Sequence, residues 1–217
     1  MTGPGRPERG GVGQGLDGPP ISVLDAVCCV YFCAAGKGKL LTDVLTALGM
    51  EILVPAEVAG EVLRKRNFGS LSTQWPRMAA STRVRVLAPL VVGESPPGLV
   101  AHVARIRGLG AAAALTTSKD LGEAVVLGHA TFLAEQGHDV YVVIDDRGGQ
   151  VLAEREPVSI LTVEDLLLAA VEARLLPGSD LRKTYEQFRH YGSGLPSWNA
   201  SDLKRRYDQR SRQQHDE

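Results

Sequence analysis

Short apolar runs alternate with amphipathic stretches from Ile21 onward, and this alternation predicts strands and helices in turn. Residues 21–24 read as a buried strand ended by Asp25, and 26–35 are apolar enough for a core helix. Lys37 to Lys39 break it. Residues 40–48 carry apolar side chains at helical spacing and are closed by Gly49. Residues 51–54 predict a second strand, with Pro55 where a helix can begin. Over 67–117 the pattern predicts a helix near 70–80, a β-rich run over 84–87, a break at Pro96-Pro97, a short helix near 99–106 and an Ala-rich link. Ser118 is suited to cap a helix running to Gln136, Gly137 stops it, and residues 140–144 are all β-branched or aromatic. A short helix over 150–155 and a strand over 158–161 follow. Thr162, with Asp165 three places on, then forms a capping box for a helix reaching Leu175, and Pro177-Gly178 closes the series. Strands that are apolar on both faces, separated by helices, predict a parallel twisted sheet covered on both sides, a three-layer α/β/α fold.

The flanks differ from this core. Residues 1–20 hold seven Gly and four Pro and almost no large apolar side chain, so a disordered tail is expected there. The folded domain is expected over 21–178. Residues 179–217 form a basic, aromatic, helical extension: between Arg182 and Arg212 stand eight Lys and Arg against three Asp and Glu, and the segment holds five of the chain's eleven aromatics. The stripe Leu181, Tyr185, Phe188 suits docking on the domain or on a partner, and the cations and rings suit RNA. Overall charge is only −1, which excludes a global basic field.

Three cysteines, Cys28, Cys29 and Cys33, crowd into one apolar stretch without C-x-x-C spacing, which favours buried packing and a reducing, cytoplasmic setting. No run approaches the roughly 18 apolar residues of a membrane span. Gly36-Lys37-Gly38-Lys39 lacks the remaining residues of a phosphate loop and reads as a solvent-facing loop. The histidines have no metalloprotease spacing, no Gly-x-Ser-x-Gly is present, and no Gly-rich turn follows a strand.

The placement of acids carries more information. Asp25 and Asp145 each follow a predicted buried strand, which in a parallel sheet brings them to one edge, where ligands bind. Glu61 lies one to two turns into the helix after the second strand, and Glu123 in the first turns of the helix after Ser118. Each strand-end acid also suits a helix N-cap. Brought together, two carboxylates about 4 Å apart repel by roughly 4 kcal/mol at an effective dielectric near 20. Protonation or a divalent cation offsets that, and an all-oxygen donor set favours Mg²⁺ or Mn²⁺ over zinc.

In Ser22-Val23-Leu24-Asp25, Val54-Pro55 leading to Glu61, Asp120-Leu121-Gly122-Glu123-Ala124 and Val143-Ile144-Asp145-Asp146-Arg147, in that order, the chain resembles the PIN-domain family of metal-dependent ribonucleases, including VapC-like toxins of toxin–antitoxin pairs. The closing stretch 153–176 is similar too, so the likeness spans about 21–176. It implies that Asp25, Glu61, Glu123 and Asp145 are catalytic, that Asp25, Glu123, Asp145 and Asp146 bind Mg²⁺ or Mn²⁺, and that Asp120 is a weaker alternative to Glu123. It implies an endoribonuclease acting on RNA phosphodiesters, with a homodimer and an antitoxin protein as partners. The chain departs from the family at Ala26-Val27, where a polar residue is usual after the first acid, over 67–117, and beyond Gly178. Those departures keep a second expectation in view, a catalytically inactive PIN-like scaffold that uses the C-terminal extension for its contacts.

Overall fold

Five short parallel strands, β1 Ile21–Leu24, β2 Glu51–Val54, β3 Val84–Val86, β4 Val140–Val143 and β5 Ser159–Leu161, pair in the order β3-β2-β1-β4-β5. The structure, a computed structural model, describes residues 18–117, 120–192 and 194–213. The tail expected over 1–20 falls almost wholly outside these residues, as does Ser118. Central β1 lies between β2 and β4, with Val23 opposite Leu53 and Leu24 opposite Val143. All four of its residues are buried, as a strand covered on both faces requires. The strand order reverses between β1 and β4, which opens a crevice at their carboxyl ends.

Helices cover both faces of the sheet. After β1 come α1 Ala26–Ala34 and α2 Gly38–Ala47; α3 Ala56–Arg64 and α4 Leu71–Ala79 follow β2. Between β3 and β4 lie α5 Pro97–Arg107, α6 Ala111–Thr116 and α7 Leu121–Glu135, and beyond β4 are α8 Arg147–Ala153, α9 Val163–Glu172, α10 Gly178–Tyr191 and α11 Asp202–Gln213. Helix α7 packs on β1, β4, α3 and α5, whereas α1, α2, α9 and α10 pack among themselves. A Cβ on Gly128 would come 2.5 Å from Val103 Cγ2, so α5 and α7 touch through a glycine. Because Val103 is stiff and fully buried, Gly128→Ala is expected to cost about 1–3 kcal/mol through overpacking, read as a lower urea midpoint with unchanged slope.

Several boundaries differ from the pattern-based expectation, each for a local reason. Gly38 and Lys39 begin α2 instead of forming a solvent loop: Gly36, at φ 71°, reverses the chain, and Gly38 lies so close to the Cys33 thiol that a Cβ there would come 3.2 Å from it. Helix α7 starts at Leu121, behind Asp120 in a left-handed conformation. Helix α8 starts at Arg147 because Asp146 caps it, accepting from Gly149 N at 3.0 Å. The Thr162–Asp165 capping box is present, and the helix it opens ends at Glu172, just before Arg174 takes a positive φ. Pro177 begins the next helix directly.

The cysteines are free and buried. Burial pushes Cys28 and Cys29 well above the usual thiol range and Cys33 to about 12, which leaves them unreactive as thiols.

The C-terminal helices dock onto this core. Leu181, Tyr185 and Phe188 of α10 are buried, with Phe188 stacked 6.3 Å from Tyr31 and tilted 4.7 Å from Phe32. Tyr185 meets Trp198 edge-on at 5.6 Å. Buried Glu164 of α9 accepts from Tyr185 Oη at 2.9 Å and from Leu203 N at 2.8 Å. Arg206 reaches Asp165 at 2.6 Å, and Arg189, Lys204, Arg205 and Arg210 also pair with acids, so much of the extension's positive charge is spent within the fold. Among the described residues, no helix is long and apolar enough to cross a membrane.

Candidate functional site

At the carboxyl ends of β1 and β4 the chain presents Asp25 and then Asp145, one residue further along its strand. The Asp25 backbone N–H donates to Val143 O at 3.0 Å, so β4 positions it directly. Its side chain caps α1, accepting from Val27 N at 3.1 Å, and is almost wholly buried. Asp145 Oδ1 accepts from Val163 N at 3.2 Å, the first residue of α9. Both acids therefore do serve helix N-termini. In neither case is a cation paired with them in the described structure.

Glu61, partly buried on α3, faces the start of α7: a Cβ on Gly122 would lie 2.7 Å from Glu61 Oε2. A side chain at Gly122 would displace the Glu61 carboxylate from this position. Lys65, one turn on, stands 3.7 Å from Glu61 Oε1. Glu123, half-buried in the first turn of α7, lies beside the start of α8, its Cδ 3.7 Å from the position of a Cβ on Gly149. Asp146 is exposed and caps α8, and Asp120 is exposed ahead of α7. Glu57, a turn before Glu61, instead accepts from Leu90 N at 2.8 Å and so holds the long middle segment.

The electrostatics tie these acids together. Burial pushes the Asp25 carboxyl up to about 6; the Val27 and Ala26 backbone N–H groups oppose the rise, and the Glu61 charge adds to it. Glu123 rises to about 7, first by burial and then by the charges of Asp146, Asp25, Asp120 and Glu61. Asp145 rises to about 6, again first by burial, opposed by the Val163 N–H and reinforced by Glu164, Asp25 and Asp165. Asp25 is thus the hub: it raises both Glu123 and Asp145 and itself feels Glu61. Strongly perturbed acids crowded into a crevice are a mark of functional sites.

The donor set is all oxygen, which suits a hard divalent cation, and the excess negative charge is what such an ion offsets. Asp25, Glu123, Asp145 and Asp146 would hold it. Among the described residues, no three His, Cys, Asp or Glu side chains form a group able to hold a metal ion.

Beside the acids opens a cleft of about 230 Å³, whose lining includes Asp145, Asp146, Tyr31, Lys65, Phe68 and Tyr191. Sequence reasoning named Asp145 and Asp146 and counted Tyr191 among the aromatics suited to RNA, but did not find Tyr31, Lys65 or Phe68. Lys65 was readable as the i+4 partner of Glu61. Tyr191 belongs to a helix distant in sequence, and no local signal points it here.

No protein-family model matches the chain, and no curated protein gives a significant match. The three-layer fold around a five-stranded parallel sheet is consistent at most with the broad PIN-like superfamily, and no family is shown.

Proposed function

We infer that the protein is a divalent-metal-dependent endoribonuclease of PIN type. The observation that supports this reading is the approach of acids from four elements at the carboxyl edge of the sheet: Asp25, Glu123 and Asp145 are all raised, first by burial, with the Asp25 charge acting on Glu123 and Asp145 and the Glu61 charge acting on Asp25 and Glu123. A bound Mg²⁺ or Mn²⁺ would supply Lewis-acid activation of water and stabilise charge on the phosphate. The chain's own part is to orient and exclude. Asp25 is fixed by the α1 N–H groups and Asp145 by Val163 N, so their second oxygens are presented from rigid elements. Glu123, with its raised pKa of about 7, exchanges a proton readily near neutrality. A homodimer and an antitoxin partner belong to the same proposal.

The second reading, an inactive binding module, draws on the lack of a ready-made metal group among the described residues. One comparison separates the two. With added Mg²⁺ or Mn²⁺ the wild type is expected to cleave single-stranded RNA, and Asp25→Asn and Asp145→Asn, at matched folded content, to lose about 10²-fold or more of that rate. Equal rates in all three would remove the assignment and leave the scaffold.

A further inference from the structure

The cleft beside the acids has the wrong charge for a phosphate and the right surfaces for a base. Asp145 and Asp146 line it and would repel a phosphate placed beside them. Three aromatic rings, Tyr31, Phe68 and Tyr191, line it as well. Phe68, in the α3–α4 connection, is 46% exposed, a large apolar side chain that the core does not use. Tyr191 is the last residue of α10, partly exposed, and its hydroxyl end lies against Gly69: a Cβ there would come 2.5 Å from it. Tyr31 forms the back of the cleft, its hydroxyl hydrogen-bonded to the Gly194 backbone and its ring pressed on Gly192, where a Cβ would come 2.1 Å from Tyr31 Cε1. Lys65 also lines the cleft, 3.7 Å from Glu61 Oε1, with its side chain 38% exposed.

We propose that this cleft receives one unpaired base of a single-stranded RNA, stacked on Phe68 and Tyr191, while the neighbouring backbone passes Lys65 toward the acids. The inference rests on the nuclease reading and extends it by naming how the strand is held. Every base has a π-face, so stacking of this kind holds single strands with little regard to sequence, and a paired base cannot enter. Charge complementarity fits the same strand: Lys65, the cation in the lining, meets a phosphate, while Asp145 and Asp146 repel one placed beside them. The two uses foreseen for the C-terminal extension then fall on one helix, since Tyr185 and Phe188 dock α10 while Tyr191, at its end, faces the cleft.

The test is equilibrium binding of a short fluorescein-labelled single-stranded RNA to the full chain, in chelator so that nothing is cut, in a low-salt and in a higher-salt buffer, with cleavage in Mg²⁺ measured separately. Phe68→Ala and Tyr191→Ala are each expected to weaken binding about fivefold or more, whereas Tyr191→Phe stays within about twofold of wild type. An oligonucleotide of abasic sites should be insensitive to both ring truncations. Phe68, exposed in a loop, keeps the test independent of any folding defect at Tyr191, and melting curves confirm the folded state of each variant. Unchanged affinity in folded Phe68→Ala and Tyr191→Ala, or no binding by the wild type in either buffer, overturns the proposal. Ring-dependent binding without metal-dependent cleavage would sink the nuclease reading and keep the base site. Cleavage with a KM indifferent to both rings would do the reverse.

Discussion

Near pH 8 and without divalent metal, Asp25→Asn is expected to melt on the order of 5 °C above the wild type. Moving a buried carboxyl from 3.8 to about 6 means that ionising Asp25 costs the native state roughly 3 kcal/mol. Asparagine removes the charge and keeps an oxygen for Val27 N, so the α1 cap survives. It also relieves Glu123 and Asp145, which both feel the Asp25 charge.

The pH dependence follows from the direction of the shift. Because its folded pKa is raised, Asp25 binds its proton more tightly in the native state, and its contribution falls as pH rises from about 4 to about 6. His129, held down to about 4 by burial, acts oppositely: its neutral form is favoured, so stability rises through much of the same range. Asp165 and Glu156 are held below their usual values, Asp165 by Thr162 and Arg206 and Glu156 by Arg105 and Thr131, in each case against the burial that would raise them, and their contributions are lost only in stronger acid. The wild-type profile therefore mixes opposing slopes. The difference between Asp25→Asn and wild type cancels His129, and should grow from near zero at about pH 4 to its full value at about pH 7. Added Mg²⁺ at pH 8 should close the gap by stabilising the wild type alone. A variant that melts at or below the wild type at every pH would show that the acids do not strain one another.

The second large effect concerns the attachment of the C-terminal extension. Glu164→Ala is expected to destabilise the protein by about 2–4 kcal/mol and to make the chain beyond α10 sensitive to protease. Glu164 accepts from Tyr185 Oη and Leu203 N inside the core, and alanine leaves the Leu203 donor buried without its carboxylate; Tyr185 retains Pro196 O at 3.1 Å. Glu164→Gln, which keeps an oxygen acceptor, should recover part of the loss. Equal protease resistance in wild type and Glu164→Ala would mean that apolar packing of Tyr185, Phe188 and Trp198 holds the extension unaided. Truncation before α10 is a harsher version of the same change, because it uncovers Tyr31 and Phe32 and removes Tyr191 from the cleft.

The fold was readable where a signal is local. Strands buried on both faces announce themselves as unbroken apolar runs, as Ile21–Leu24 and Val140–Val143 do, and the Thr162–Asp165 box marks a helix start within four residues. The ends of α2, α7 and α8 were less readable because backbone geometry set them: Gly36 and Asp120 take positive φ, and Asp146 chose its cap from three residues on. The acids Asp25 and Asp145 were legible as strand ends, whereas their perturbation was not, since it depends first on how deeply each is buried and then on how closely Glu61 approaches Asp25 and Glu164 approaches Asp145.

By itself the chain determined the alternation of strand and helix, the parallel sheet that follows from it, and the set of acids lying where strands stop. Those are matters of period and propensity, which neighbours in sequence decide. Tertiary structure alone decided that Asp25 would be the hub of the acids, that Gly122 would admit Glu61, that Glu164 would clasp the last two helices, and that Tyr191 would close a cleft beginning at Tyr31, far earlier in the chain. Each of these depends on desolvation and on separations of a few ångströms between distant segments, and no run of adjacent residues encodes such distances.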